Sequence, residues 1–389
     1  MKRMNRLTEL MQGFVEKGPA GCACSVSKDG ELLYQDYVGY ANLESRQPIT
    51  EDTVYRIFSM TKVVTCAAAL ILYERGRFLL NDPLHEYLPE FKDPQVLQTD
   101  SAGALSTVPA QQPIRVKDLF AMTSGLTYGG ERTETERRVS RWLEEQRRGE
   151  DGTAKLDARS LSRGLAAIPL AFEPGTRWQY GFSHDVLGAL IEVLSGRTLG
   201  QFMQEEIFRP LGMKDTSFKL TAETQGRLCT HYNRAEDGTL TPSTQFDDPY
   251  QPDSRFESGG AGLLSTIGDY SKFAQMLALG GEGNGERILS PGTVRLMAAN
   301  QLSPVQLQDY NWSYLAGFGY GLGVRTLMDP AAAGSNASIG EFGWSGLAGT
   351  WVMIDPKEKL SAVYMQQMLP NFEAVHQPRL RNVIYGALQ

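Results

Sequence analysis

The sequence is poor in the residues that most often announce a chemistry. Its 389 residues include 4 cysteines and 4 histidines. Four cysteines make no disulfide framework in a chain of this size. Cys22 and Cys24 alternate with small residues in a strand-like run, Cys66 lies in an Ala-rich helical run, and Cys229 is isolated. All four read as small buried hydrophobes. The histidines, His85, His184, His231 and His376, are far apart, and none pairs with another histidine or cysteine at helical spacing. That argues against a metal site. No Gly-x-Gly-x-x-Gly follows a strand into a helix and no Walker A loop occurs, so no cofactor is expected. Long apolar runs are missing as well: Val63 to Tyr73 is the longest, it is interrupted by Thr65, and it is too short to cross a bilayer. The basic start, Met1-Lys2-Arg3, is followed by Glu9, Gln12 and Glu16 rather than by the apolar stretch of a leader. Nor is there an excess of positive charge. Lys plus Arg is 38 and Asp plus Glu is 45, a net charge of −7, which argues against nucleic acid or an anionic membrane as partner. What is present is a globular composition, 41% hydrophobic and 21% charged. The expectation is a soluble, cytoplasmic protein acting on a small molecule, of unspecified oligomeric state.

The pattern of elements suggests two parts. An amphipathic helix opens the chain, with Leu7, Leu10, Met11, Phe14 and Val15 on one face. Two alternating runs, Cys22 to Lys28 and Glu31 to Tyr37, meet at Asp29-Gly30, a hairpin signal. A short strand, Thr53 to Phe58, leads into Ser59 and a helix reaching about Arg75, apolar nearly all round and so buried, with Gly76 placed to cap it. From Asn81 to Phe256 the pattern is helix, loop and charge. Within it, Glu131 to Asp151 reads as an exposed amphipathic helix or a lid. Ser338 to Phe342, Leu347 to Ile354 and Leu360 to Met365 read as strands, with a turn at Asp355-Pro356-Lys357, and a helix from about Asn371 to Tyr385 closes the chain. The expected class is α+β: an antiparallel sheet built from both termini and flanked by helices (1–80 with 257–389), a second, mainly helical lobe (81–256), and the site between them.

With metal and cofactor set aside, the chemistry is sought in serine. A Gly-x-Ser-x-Gly elbow is absent: Gly181-Phe182-Ser183 runs on to Asp185, and Gly343-Trp344-Ser345 runs on to Leu347. Ser-x-x-Lys occurs twice. With 25 serines and 12 lysines one chance match is expected, and Ser25-Val26-Ser27-Lys28 is that match, because strand positions i and i+3 face opposite ways. Ser59-Met60-Thr61-Lys62 lies instead at a helix start, where i and i+3 share a face. A desolvated Lys62 would give up its proton easily and act as base. The Ser59 backbone N–H, free in a first helical turn, could point at an oxyanion. Ser183-His184-Asp185 is no triad, because neighbours on a helix diverge; Ser183 is expected to cap that helix.

The run Thr53-Val54-Tyr55-Arg56-Ile57-Phe58-Ser59-Met60-Thr61-Lys62 resembles the active-site segment of class C β-lactamases and penicillin-binding proteins. Four more stretches match in order: Leu119 to Leu126, Pro174 to Tyr180, Ser258 to Leu263, and Gly343-Trp344-Ser345-Gly346. Together they cover most of the chain. The resemblance implies that Tyr180 relays protons beside Ser59 and Lys62. It also implies that Leu347, just past Trp344-Ser345-Gly346, supplies the second oxyanion N–H. The literal Tyr-x-Asn, Tyr40-Ala41-Asn42, precedes the nucleophile and is a coincidence. Phe182 stands where β-lactamases carry an asparagine, and Trp344-Ser345-Gly346, with Trp where most relatives carry a cation, resembles the Trp-x-Gly of family VIII carboxylesterases. Trp344, Ser345, Gly346 and Phe182 are therefore the expected substrate contacts, and the expected activity is a serine carboxylesterase on short-chain esters. A β-lactamase or D-amino-acid peptidase, an acyltransferase, and a non-catalytic binding protein on the same fold are the alternatives.

Overall fold

The computed structural model describes residues 4–100, 103–147 and 156–388. Its centre is an eight-stranded antiparallel sheet. In chain order the strands are β1 (Gly21–Lys28), β2 (Glu31–Asn42), β3 (Gln47–Pro48), β4 (Phe318–Tyr320), β5 (Arg325–Leu327), β6 (Phe342–Ser345), β7 (Trp351–Asp355) and β8 (Leu360–Gln366). In space they run β4-β5-β6-β7-β8-β1-β2-β3, so the two ends of the chain meet where β8 pairs with β1. Lys28 faces Glu31 across the expected two-residue turn, with Asp29 at φ 52° and Gly30 at φ 88°. Both values belong to a type I′ turn, whose twist suits antiparallel strands.

Alternation divides the central strands between two cores. Cys22, Cys24, Val26, Trp351, Met353, Ala362 and Tyr364 pack under α1 (Asn5–Val15) and the last helix, α8 (Glu373–Ala387). Ala23, Val352, Ile354, Val363 and Met365 face the larger core. That core includes α2 (Thr61–Glu74) and α7 (Ile267–Ala278). All four cysteines are free and buried, and burial pushes the Cys22 and Cys229 thiols up to about 12. Between α2 and α7 the chain forms α3 (Val116–Phe120), α4 (Glu134–Arg147), α5 (Ala158–Ala166) and α6 (Ser183–Ser195). In α4 Val139 is buried and Trp142 lies against Gly164 of α5; the rest of the charged stretch, from 148 to 151, lies outside the described residues.

Several segments differ from the sequence reading. Ser338 to Glu341 is a turn, closed by Glu341 N donating to Ser338 O, with Gly340 at φ 90°. Leu347 to Thr350 is also a turn, because Gly346 N donates to Thr350 O and Gly349 N to Gly346 O. The strands β4 and β5 at one side of the sheet are three residues each, too short to show alternation. The middle region holds two hairpins, Gln95–Thr99 with Leu105–Pro109 and His231–Arg234 with Leu240–Ser243. Their outward faces are polar, so no apolar period marks them; Asp237-Gly238 was the available signal for the second.

A buried ion trio ties the far edge of the sheet to α8. Glu341 receives Arg325 Nη2 at 3.0 Å on one oxygen and Arg381 Nε at 3.2 Å on the other. The three residues are 0%, 2% and 5% exposed.

Candidate active site

Ser59 sits in a single 3₁₀ turn, Phe58–Met60, that runs straight into α2. Phe58 has φ 44°, in the left-handed region that a phenylalanine rarely adopts; its buried ring meets Phe246 edge-on at 5.2 Å. Neighbours hold this turn: Ile57 N donates to Leu263 O at 3.1 Å, Leu263 N to Thr61 Oγ1 at 3.0 Å, and Tyr270 Oη to Met60 O at 2.9 Å.

Lys62 is completely buried one turn on. Its Nζ donates to Ser59 Oγ at 3.2 Å, Tyr128 Oη at 2.9 Å and Gly260 O at 2.7 Å. Three oxygens match the three hydrogens of an ammonium. Burial works to lower the Lys62 pKa, as the sequence suggested, but the oxygens of Tyr128 and Tyr180 outweigh it and the net direction is up. The three oxygen acceptors and this upward direction both favour the ammonium over the stripped amine expected from desolvation alone. Burial in turn holds Tyr128 above the usual phenol range, so it stays a neutral hydroxyl.

Tyr180 lies beside this group. Lys62 Nζ is 4.6 Å from its ring centroid, and its hydroxyl accepts the Trp344 indole N–H at 3.0 Å. The two rings stack with centroids 5.6 Å apart. Trp344 is buried, so it serves as both core tryptophan and hydrogen-bond donor to Tyr180. Phe182 packs edge-on against Tyr128 at 4.7 Å. Tyr128 was missed by the sequence reading. It stands two residues past the Leu119 to Leu126 match, and only the packing of Gly181 against the Leu126 and Thr127 backbone brings its loop to Lys62.

Gly260 introduces a positioning chain. Asp185 accepts Ser258 Oγ at 2.5 Å and Gly260 N at 3.2 Å, which orients the peptide whose carbonyl binds Lys62. Ser183 bonds Ser124 Oγ at 2.9 Å, and His184 Nε2 bonds Phe120 O at 3.1 Å. The three residues do diverge, and Ser183 does not cap α6, whose N-cap is Phe182 without a side-chain bond.

The turn after β6 reaches the Ser59 turn from the other side. Thr350 Oγ1 donates to Ile57 O at 3.2 Å, and a side chain on Gly346 would collide with that same carbonyl. Leu347, 45% exposed, is fixed through its carbonyl by Asn371 Nδ2 at 3.0 Å. The Ser345 hydroxyl, expected to meet substrate, donates to Glu373 Oε2 at 2.8 Å. Among the described residues no three His, Cys, Asp or Glu side chains could hold a metal ion, and no helix is long and apolar enough to cross a membrane.

An antiparallel sheet closed by both chain ends, with a Ser-x-x-Lys helix against its β6 margin, defines the fold class of serine β-lactamases and penicillin-binding proteins. The chain belongs to the Beta-lactamase family, whose model matches residues 7–385. It is 34% identical to Protein Rv1367c of Mycobacterium tuberculosis, over 90% of this chain and 86% of that one. Esterase EstB of Burkholderia gladioli is 29% identical, over 96% and 93% of the two chains. Among solved structures, EstCE1, described as a hydrolase with promiscuous acyltransferase activity, superposes with a TM-score of 0.82 at 24% identity, covering 99% of this chain and 98% of its own. The family is one of serine hydrolases with esterase and acyltransferase members.

Proposed function

We propose that the protein is a carboxylesterase that cleaves short-acyl esters of small molecules through an acyl-enzyme on Ser59. The observation that carries this reading is the contact of Ser59 Oγ with a buried, charged Lys62 at 3.2 Å. Ser59, Lys62 and Trp344 come from the sheet-forming ends of the chain, and Tyr128, Tyr180 and Phe182 from 81–256, which supports a cleft between two lobes. Ser59 Oγ attacks the ester carbonyl carbon. Its proton passes to the Lys62–Tyr180 pair, in the form of that pair which has released one proton to solvent; the Trp344 N–H on Tyr180 Oη and the nearby Lys62 Nζ hold the tyrosine in place. The backbone N–H groups of Ser59 and Leu347 hold the oxyanion, and the pair returns the proton to the leaving alkoxide. Water then repeats the sequence on the acyl-enzyme, attacking the acyl carbon and restoring Ser59.

Acyl transfer is the second reading, because an alcohol in place of water completes the same cycle and EstCE1 does both by its description. A β-lactam is disfavoured: Trp344 and Phe182 leave its carboxylate and amide without partners, at about 1–3 kcal/mol for each buried polar group left unpaired. The test is intact-mass detection of an adduct with an activated acyl ester, with Ser59→Ala as control, alongside kcat/KM for p-nitrophenyl butyrate and a chromogenic cephalosporin. An adduct on Ser59 and a higher ester value are expected. No adduct removes the acyl-enzyme, and a cephalosporin value at or above the ester value replaces esterase with β-lactamase.

A further inference from the structure

The Ser345–Glu373 contact sets a negative charge beside the expected oxyanion strand. Glu373 is linked to that strand twice: by the Ser345 hydroxyl at 2.8 Å, and through Asn371, whose Oδ1 accepts Glu373 N at 3.0 Å while its Nδ2 holds Leu347 O at 3.0 Å. Its other close partners are neutral, Gln377 Nε2 at 3.4 Å and the Tyr314 hydroxyl. Among the described residues no cation pairs with it. Arg379 turns back to Val375 O at 2.9 Å and Arg234 to Ala235 O at 3.2 Å. An acidic residue in the first turn of α8 favours the helix by itself, but that role does not require it to reach Ser345. Tyr314 is the second element: burial first, and then the nearby Glu373 carboxylate, push its hydroxyl pKa up. Its ring stacks on Trp312 at 6.2 Å and 7°. Trp312 in turn meets Tyr180 at 5.7 Å and Trp344 at 6.2 Å. Trp312 and Tyr314 are both only partly buried. A carboxylate flanked by partly exposed aromatic rings is the environment that accepts ammonium groups.

Resting on the esterase reading, we propose that Glu373, Tyr314 and Trp312 form a subsite for a cationic substituent, so that the enzyme prefers ammonium-bearing esters and rejects anionic ones. The attraction and the repulsion share one source, the Glu373 charge.

Three thioesters of matched shape test this: acetylthiocholine, its uncharged isostere 3,3-dimethylbutyl thioacetate, and the anionic S-acetyl-3-mercaptopropionate. In the wild type, kcat/KM should fall in that order, by about tenfold per step at low ionic strength, and salt should compress the series. Glu373→Gln should bring the three values to within about threefold of one another, whatever its absolute activity, and Glu373→Lys should invert the order. A thermal melt of each variant separates this from unfolding, since a damaged α8 lowers all three rates together and leaves their ratios intact. Equal wild-type values for the three esters overturn the subsite, as does a charge preference that survives in Glu373→Gln. Absence of Ser59-dependent turnover on every ester overturns the hydrolase reading, and the subsite with it.

Discussion

Lys62 and the Arg325–Glu341–Arg381 trio are all buried cations, surrounded by different partners. The trio is held by a formal negative charge, with one carboxylate oxygen on each guanidinium. Lys62 forms no ion pair among the described residues, and its three partners are two hydroxyls and a carbonyl. Asp185 supports it only through the Gly260 peptide. A charge pinned by a carboxylate is a fastener, because neutralising either partner strands the other's charge. A charge held by hydroxyls can hand a proton on. Burial is common to both regions, so it is the partner that separates a fastened cation from one placed to exchange a proton.

Substitution should split the two regions cleanly. Ser59→Ala is expected to lower ester kcat/KM by roughly a thousandfold or more with little change in melting temperature. Lys62→Arg sharpens the point: it keeps the charge but holds its proton at any accessible pH, so it should be nearly as inactive. An active Lys62→Arg enzyme would mean that charge alone suffices. On the other side, Glu341→Gln leaves two buried guanidiniums uncompensated and should cost about 3–5 kcal/mol in denaturant titration. The enzyme that remains folded should keep its kcat. Stability unchanged in that variant would remove the trio from its fastening role.

Acid provides a third, smaller probe. His184 is held neutral at about 3, by desolvation first and then by the Lys62 charge, and His376 at about 4, by desolvation and then Arg379. Both lie below the ordinary value of about 6.5. The unfolded chain therefore binds more protons than the native one between these limits, and stability should fall as pH drops from about 6.5 towards 4, levelling off below 3. Each pH unit is worth about 1.4 kcal/mol per histidine. A flat profile over that window would contradict the neutral assignment, and His184→Gln should remove part of the slope. The smallest effect is expected at Trp344. Phenylalanine there keeps the stacking but loses the N–H to Tyr180, so kcat should drop about tenfold and KM should barely move. A rise in KM alone would reassign Trp344 to substrate packing.

Much of this was legible in the chain because it depends on local period. Ser59 and Lys62 share a helix face, while Ser25 and Lys28 do not: Ser25 is buried in β1 and Lys28 reaches out to Glu358 O. The β1–β2 hairpin, β7 and β8 followed from alternation and turn residues. What escaped depends on contacts between distant segments. Tyr128 reaches Lys62 across 66 positions of sequence. Glu373 meets Ser345 across 28, and nothing in either local pattern points at the other. The upward direction at Lys62 escaped for the same reason, since desolvation is readable from an apolar helix but the compensating oxygens are not.

Phe58 has a bearing on attempts to make this protein hardier. A phenylalanine at φ 44° immediately before Ser59 carries conformational strain of order 1–3 kcal/mol. Glycine at that position adopts the angle freely, but losing a buried phenylalanine ring costs about 3–5 kcal/mol, more than the strain it would relieve. The same exchange deletes the ring that locks the turn onto Phe246 and lets the Ser59 peptide wander from its aim. Position 58 is thus a strained angle held by the packing of its own ring, and glycine there should lower heat tolerance and turnover together.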